Sequence, residues 1–379
     1  MRGYYANLLG TAGRLWFSLS AGLLLGQAFA PALAQPGTNT ASWQWHAARE
    51  LEVVGRGWSD TKRFFDRLPA RAESSVRPEV WNLSHDSAGI SVRFMSDAPA
   101  IAARWTLRRT SLAMPHMPAT GVSGLDLYVR EQGKWHWLGN GRPEKLSEER
   151  VLVQGLKPER REYLLYLPLY NGVEELSLGV PAGSALTPPL QLSVKKPIVF
   201  YGTSIVQGGC ASRPGMAYPA ILGRRLERPT INLGFSGNAL SEPEMAQLLA
   251  ELDPAVYVLD PLPNLTAEMV TERLGRFVQI LRGAHPLTPI VLVEHVEYAD
   301  ALLVEGRREK YLGANARLHE TYRRLVSAGM RSLFYVPSAN LLGPDGEATV
   351  DGTHPTDLGF VRMADAIEPS LRRALKSNH

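Results

Sequence analysis

Hydrophobic and polar residues alternate in two different ways along the chain, and the pattern changes near residue 190. Between residues 42 and about 190 the runs are short and alternate with a period of two, as in residues 90–94, 102–107 and 124–129, with turn-rich pieces between them. Such alternation is typical of strands that bury one face. Residues 42–190 are therefore predicted to form an all-β, jelly-roll-like sandwich.

After Pro197, short apolar runs alternate with amphipathic stretches. This βα alternation predicts a parallel sheet with helices on both faces, in a domain over residues 196–379. Prolines within residues 186–189 and at Pro197 resist regular structure, and they mark a linker between the two domains. The predicted strands are 198–201, 230–233, 255–259, 290–294 and 332–336, and the predicted helices are 216–227, 243–252, 266–283, 308–328 and 356–376.

The N-terminus has the features of a secretory signal peptide over residues 1–34. Arg2 and Arg14 precede an apolar run, and Ala32-Leu33-Ala34 supplies the small residues that a signal peptidase accepts. A membrane anchor is the alternative, but polar residues, glycines and a proline interrupt the run before it is long enough to span a bilayer. We expect export to the periplasm or secretion, with no stable membrane anchor after cleavage.

Composition narrows the range of functions. The 379 residues carry 41 Lys+Arg and 37 Asp+Glu, and removal of residues 1–34 takes away two arginines, so the net charge falls from +4 to +2 (39 − 37). So weak a charge gives no support for nucleic-acid binding. Cys210 is the only cysteine, which excludes an intramolecular disulfide and a cysteine-rich metal site. We expect Cys210 to be buried and unreactive.

Ser204 is a candidate nucleophile because of its position. It follows the predicted strand 198–201 and the flexible Gly202, and ligands of parallel α/β sheets bind at the carboxyl ends of strands. The alternative is that Ser204 only caps a helix.

Asp351 and His354 form a candidate carboxylate–imidazole pair near the C-terminus. Their spacing allows the carboxylate to hold one ring nitrogen while the other takes the proton of a serine, which is general-base catalysis worth roughly 10²–10⁴-fold. The alternative is again helix capping, because Pro355 and a predicted helix follow.

Gly237 and Asn264 follow the second and third predicted strands of the α/β domain. The backbone N–H of Gly237 and the side-chain amide of Asn264 are candidate donors to a developing oxyanion, although each residue taken alone is compatible with a simple turn.

The order Ser204, Gly237, Asn264 and His354 resembles the four sequence blocks of the SGNH, or GDSL-type, esterase and lipase family. The matching blocks are residues 201–209, 232–238, 262–264 and 351–355. Thr203 replaces the Asp of the usual first block, and the third block ends in Pro263-Asn264-Leu265 instead of the usual Gly-x-Asn-Asp. Both departures resemble a subfamily with an additional N-terminal β-domain. Residues 124–128 resemble the GxDLY signature of that β-domain.

This resemblance implies a three-layer αβα, flavodoxin-like hydrolase domain behind the sandwich. It assigns Ser204 as nucleophile, His354 as base and acid, Asp351 as its orienting carboxylate, and Ser204, Gly237 and Asn264 as oxyanion donors. It implies no metal and no organic cofactor. By analogy with relatives that carry the β-domain, the implied substrate is a short acyl ester, acetyl, on a carbohydrate, as a small molecule or a polysaccharide. A lipase or lysophospholipase, and a catalytically silent carbohydrate-binding protein, are the alternatives.

Two further features leave alternatives open. Glu294 and His295 end the fourth predicted strand, where they are either substrate contacts or polar loop residues. Trp135 and Trp137 share one face of a predicted strand, which favours sandwich core over a platform for stacking sugars.

Overall fold

The structure, a computed structural model, describes residues 42–189 and 195–377. The predicted signal peptide over residues 1–34 lies outside the described residues, and so do residues 190–194 of the predicted linker. Among the described residues, no helix is long and apolar enough to cross a membrane.

The N-terminal region is a sandwich of two antiparallel sheets, as predicted. One sheet has the strand order β1-β9-β4-β7, and the other has the order β10-β3-β8-β5-β6, with β2 added beside β3. The strands are β1 (Trp43–Ala47), β2 (Glu52–Val54), β3 (Ser91–Ser96), β4 (Ala100–Leu107), β5 (Leu125–Glu131), β6 (Lys134–Gly141), β7 (Ser147–Gln154), β8 (Arg161–Tyr166), β9 (Val173–Pro181) and β10 (Leu186–Thr187).

Side chains from the facing sheets fill the sandwich. Phe94 on β3 and Tyr163 on β8 stack with ring centroids 5.2 Å apart, and Trp105 on β4 is buried in the same core. The period-two runs of the sequence correspond to β3, β4 and β5, because their alternate residues form this core.

The C-terminal domain contains a five-stranded parallel sheet in the order β12-β11-β13-β14-β15. The first strand lies between the second and third, which is the flavodoxin-like order. The strands are β11 (Ile198–Gly202), β12 (Thr230–Gly234), β13 (Val256–Asp260), β14 (Ile290–Val293) and β15 (Leu333–Val336); the helices are α3 (Ser204–Gln207), α4 (Tyr218–Leu226), α5 (Pro243–Ala250), α6 (Ala267–Met269), α7 (Gly275–Ala284), α8 (Glu305–Ser327) and α9 (Asp357–Lys376).

Two hydrophobic cores, one on each face of this sheet, make the domain three-layered. Leu249 of α5, Phe277 of α7 and Leu318 of α8 belong to one core. Leu222 of α4 and Phe360 of α9 belong to the other. The predicted αβα architecture is confirmed.

A segment of the sandwich sequence packs against the α/β sheet instead of the sandwich. Trp58, Leu68, Val80 and Trp81 are buried in the same core as α5 and α7. Part of this segment is a helix, α1 (Pro78–Ser84), and a second short helix, α2 (Ala119–Val122), precedes β5. The β-sandwich is thus as predicted, and this segment of its sequence adds a short helix and covers one face of the α/β sheet.

Candidate active site

Ser204 lies at the carboxyl end of β11, at the start of α3. Gly202 is required for this turn, since a Cβ there would lie 2.4 Å from the carbonyl oxygen of Asp260 and from Cγ2 of Val206. Thr203 caps α3, because its side chain accepts a hydrogen bond from the Ile205 N–H at 3.2 Å. The cap of α3 is therefore Thr203 and not Ser204. The Ser204 hydroxyl contacts His354 instead.

A continuous chain of hydrogen bonds joins Ser204, His354 and Asp351. The Oγ of Ser204 is 2.9 Å from Nε2 of His354, and Nδ1 of His354 is 2.8 Å from Oδ2 of Asp351. Because a carboxylate only accepts, Nδ1 carries the proton and Nε2 keeps its lone pair for the serine hydroxyl. Ser204 is almost fully buried, whereas both partners remain partly exposed.

The turn that carries His354 is built on Asp351. Its Oδ1 accepts hydrogen bonds from the backbone N–H of Thr353 at 3.0 Å and of His354 at 2.8 Å. Partial burial acts to raise the pKa of the Asp351 carboxyl, but the hydrogen bonds from the His354 backbone and ring outweigh it and the pKa lies below its usual range. Thr356 caps α9 through the Gly359 N–H, so neither Asp351 nor Thr353 is the cap.

Gly237 and Asn264 lie on the loops that follow the strands on either side of β11. Gly202 is in register with Gly234 of β12 and with Asp260 of β13, so the three loops leave the sheet at one level. Gly237 has φ +71°, and among the described residues no atom beyond its chain neighbours lies within 4 Å of the position that a Cβ would take.

Asn264 accepts a hydrogen bond through Oδ1 from the Ala239 N–H at 3.3 Å. This bond orients the amide so that the Nδ2 hydrogens remain as donors. The Ala239 contact thus links the Asn264 side chain to the loop that carries Gly237.

A buried polar network that the sequence did not reveal fastens this loop to α3. The Oε1 of Gln207 accepts from the Ser236 N–H at 3.0 Å, and its Nε2 donates to Oδ2 of Asp86 at 3.0 Å. Asp86 also accepts from Arg109. Burial raises the pKa of the Asp86 carboxyl, while Arg109 and Arg67 act to lower it.

Arg67 is fully buried and reaches the carboxyl end of β12. It donates to the carbonyl oxygens of Gly234 at 2.7 Å and Asn232 at 3.1 Å, and to that of Asp86 at 2.8 Å. Burial lowers the pKa of its guanidinium to about 10. The strand preceding the Gly237 loop is thus held by an arginine from the N-terminal region.

The GxDLY signature joins the sandwich to the loop after α3. Asp126 is fully buried and accepts hydrogen bonds from Arg213 and from the Gly215 N–H, both at 2.8 Å, and from Nε1 of Trp137 at 2.9 Å. Arg213 also contacts the Tyr128 hydroxyl. Trp137 is 50% exposed, so the expectation that it packs in the sandwich core is wrong.

His116 and Cys210 are close to His354. His116 lies on the exposed loop between β4 and α2, and its ring centroid is 5.9 Å from that of His354. Cys210 is buried as expected, and burial raises the pKa of its thiol to about 12.

Among the described residues, no side-chain hydrogen bond joins Glu294 or His295 to Ser204 or His354. His295 is fully buried, donates from Nδ1 to the Val296 carbonyl at 2.5 Å, and its Nε2 is 3.0 Å from the Tyr298 hydroxyl. Glu294 accepts from the Ser338 N–H at 2.6 Å and from the Tyr335 hydroxyl. These side chains are committed to internal hydrogen bonds, so the geometry does not support a substrate contact.

Comparison with known proteins gives consistent matches over both parts of the chain. Residues 195–372 match the model of the GDSL-like lipase/acylhydrolase family, and residues 43–186 match that of the GxDLY N-terminus of SGNH-hydrolase-type esterases. A solved protein from Bacteroides ovatus, described as a GDSL-like lipase, is 36% identical, with a TM-score of 0.84 over 88% of this chain and 98% of its own. No curated protein matches the chain.

More distant solved structures share the fold. A family two carbohydrate esterase from Cellvibrio japonicus is 15% identical, with a TM-score of 0.58 over 89% of this chain and 99% of its own. An acetyl xylan esterase from the rumen bacterium Butyrivibrio proteoclasticus is 12% identical, with a TM-score of 0.56 over 88% and 99%.

Proposed function

Because the chain belongs to the GDSL-like lipase/acylhydrolase family and is a carboxylic ester hydrolase, we propose that it cleaves short acyl esters through Ser204, His354 and Asp351. The observation that carries this proposal is the unbroken hydrogen-bond chain, with 2.9 Å between Ser204 and His354 and 2.8 Å between His354 and Asp351. A nucleophile, a base and an orienting carboxylate in this order form an activated serine.

The reaction uses the lone pair on Nε2 of His354. The Oγ of Ser204 attacks the ester carbonyl carbon while Nε2 of His354 takes the hydroxyl proton. Asp351 stabilises the resulting imidazolium, and the tetrahedral oxyanion accepts hydrogen bonds from the Ser204 and Gly237 N–H groups and from the Asn264 amide. Loss of one such donor typically costs about 2.7–4 kcal/mol of transition-state stabilisation.

The intermediate collapses when the ester C–O bond breaks and His354 returns its proton to the leaving alcohol. The acyl group is then bound to Ser204 as an ester. His354 next removes a proton from a water molecule, which attacks the acyl carbon, and the second tetrahedral intermediate releases the carboxylic acid and restores Ser204.

The proposed substrate is an acetylated carbohydrate outside the cytoplasm. The acetyl xylan esterase and the family two carbohydrate esterase share the fold at 12% and 15% identity, and the N-terminal residues 1–34 have the sequence features of an export signal. These observations favour acetyl and carbohydrate over other short esters.

Activity of the purified chain on p-nitrophenyl acetate tests the hydrolase proposal. We expect turnover that phenylmethylsulfonyl fluoride abolishes and that Ser204→Ala reduces to background, with an unchanged circular dichroism spectrum. Retained turnover in Ser204→Ala would remove Ser204 from the mechanism.

Acetate release from a panel of acetylated oligosaccharides tests the substrate class. Hydrolysis of long-chain but not acetyl p-nitrophenyl esters would identify a lipase or lysophospholipase instead. Binding of the oligosaccharides without cleavage of any ester would identify a carbohydrate-binding protein.

A further inference from the structure

Three side chains that commonly bind metal ions meet beside Ser204. They are His116, Cys210 and His354, and their ligand atoms all lie within 4.8 Å of one another. Two imidazoles and one thiol are the donor set preferred by zinc and similar transition-metal ions. The proposed hydrolysis uses only His354 of these three residues, so the cluster has no assigned purpose.

The ring of His354 has one nitrogen available to a metal ion. Its Nδ1 donates to Asp351 at 2.8 Å, so the lone pair is on Nε2, which now accepts from Ser204. A carboxylate behind a histidine ligand is the usual arrangement at zinc, where it fixes the tautomer and raises the basicity of the ring. A metal ion at this site would therefore compete with Ser204 for the same lone pair.

The other two ligands come from separate segments. Cys210 is buried beyond Gly208 and Gly209, which follow α3, whereas His116 is exposed on the loop between β4 and α2. Zinc holds nitrogen at about 2.0–2.1 Å and sulfur at about 2.3 Å, which requires ligand atoms closer together than 4.8 Å. His116 is the ligand that can close this distance, because its exposed side chain has space to rotate.

We propose that His116, Cys210 and His354 bind a divalent transition-metal ion of the zinc type, and that binding reversibly inhibits the enzyme. The Cys210 thiol releases its proton to solvent when it binds the ion as a thiolate. Inhibition follows because His354 Nε2 can no longer accept the Ser204 proton. The metal site rests on the geometry of the three side chains, whereas the inhibition rests on the proposed function.

Cobalt(II) spectroscopy tests the metal site independently of activity. The mature chain, without a polyhistidine tag and freed of metal with a chelator, is titrated with Co²⁺ and then displaced with Zn²⁺. We expect a near-ultraviolet thiolate-to-cobalt absorption that is lost in Cys210→Ser and requires a higher cobalt concentration in His116→Ala. His136→Ala, which removes an exposed histidine on β6, is the matched control and should behave as the wild type.

No thiolate-to-cobalt absorption in the wild type, or an unchanged titration in His116→Ala, would overturn the site. Cys210 has a positive φ of 73°, and if Cys210→Ser fails to fold the His116→Ala titration still decides the outcome.

The effect of zinc on p-nitrophenyl acetate hydrolysis tests whether metal binding inhibits the enzyme. We expect wild-type inhibition that excess EDTA reverses, and zinc-free rates of His116→Ala and Cys210→Ser equal to that of the wild type. The zinc concentration for half inhibition should rise by more than about tenfold in both variants, since loss of even a group behind a metal ligand costs about that much affinity. Equal inhibition of all variants would overturn the proposal. A chain without esterase activity would refute the proposed function, while the cobalt titration would still decide the metal site.

Discussion

The carboxylate of Asp351 determines which nitrogen of His354 carries the proton, and this can be tested without removing the nucleophile. We expect Asp351→Asn to lower kcat for p-nitrophenyl acetate by about 10⁴-fold, because an amide favours the tautomer with the proton on Nε2. Steady-state kinetics should show the loss in kcat with the chain still folded. Asp345→Asn removes an exposed carboxylate paired with Arg362 and should leave kcat unchanged. Similar rates for both variants would exclude Asp351 as the orienting group.

Asp260, at the end of β13, is a second carboxyl group whose pKa is shifted. It is fully buried, and its Oδ2 accepts from the Tyr218 hydroxyl at 3.0 Å. Its Oδ1 has no hydrogen-bond partner among the described residues. Burial raises the pKa of Asp260 to about 8, against an opposing effect of the Tyr218 hydrogen bond, so the group is mostly protonated at pH 7 in the folded chain.

The raised pKa of Asp260 predicts a pH dependence of stability. Between about pH 4 and pH 8 the unfolded chain loses this proton and the folded chain keeps it, so the free energy of unfolding falls as the pH rises through that window. We expect Asp260→Asn to gain stability relative to the wild type when the pH is raised from 6 to 9. Urea unfolding of the wild type and of Asp260→Asn gives the difference in their free energies of unfolding at each pH. The change in that difference from pH 6 to pH 9 contains no pH-independent effect of the substitution. A difference that does not change with pH would contradict a raised pKa.

At the scale of elements, the loop after β12 depends on α3 for its position. Gln207 accepts from the Ser236 N–H, next to Gly237, and donates to Asp86. We expect Gln207→Met to lower kcat by about 10²–10³-fold, the usual cost of losing one oxyanion donor, with little change in KM. Binding of a boronic-acid transition-state analogue should weaken in parallel.

Gln247→Met provides the matched control for this prediction, because Gln247 is exposed on α5. Its kcat and its affinity for the analogue should equal those of the wild type. A Gln207→Met chain with reduced stability but a normal kcat would limit Gln207 to a structural role.

The same elements indicate how far the sequence predicts the fold. The strands of the α/β domain were predicted within one residue at each end, because each is a short apolar run buried on both faces. The predicted helix 266–283 is instead α6, a π-helical turn over Val270–Leu274, and α7. Hydrophobic periodicity does not distinguish a single π turn from a continuous α-helix.

The candidate site was predictable only where short-range patterns mark it. Ser204, Asp351 and His354 follow strand ends or lie three residues apart, and the structure joins them by hydrogen bonds. Arg67 and Asp86 were missed because their partners are backbone and side-chain groups far away along the chain. A charged residue in a single sequence is expected at the surface unless its partner is known.

At the scale of the whole molecule, the sandwich and the α/β domain share buried contacts. Trp58 donates to Glu251 at 2.8 Å and packs in the core of the α/β sheet, and Asp126 holds Arg213. We therefore expect a single cooperative unfolding transition of a chain that comprises residues 35–379, with calorimetric and van't Hoff enthalpies in agreement. Two separated transitions would show that the parts fold independently.

Truncation provides a stricter test of this interdependence. A chain that begins at Lys195 lacks the buried Leu68, Val80 and Trp81, and it exposes the apolar face that they cover. We expect this truncated chain to be aggregation-prone and to bind a hydrophobic dye. A soluble, monomeric fragment with full activity on p-nitrophenyl acetate would contradict the prediction.

The reach of Arg67 into β12 has a consequence for how such enzymes change over evolution. A recombination event between residues 189 and 195 would give a hydrolase domain a new N-terminal partner, but it would leave the carbonyls of Asn232 and Gly234 without their arginine. A new partner would keep these carbonyls hydrogen-bonded only if it supplied an equivalent buried cation. We therefore expect the two parts of the gene to be exchanged together, with the sandwich as a structural part of the hydrolase rather than an exchangeable accessory.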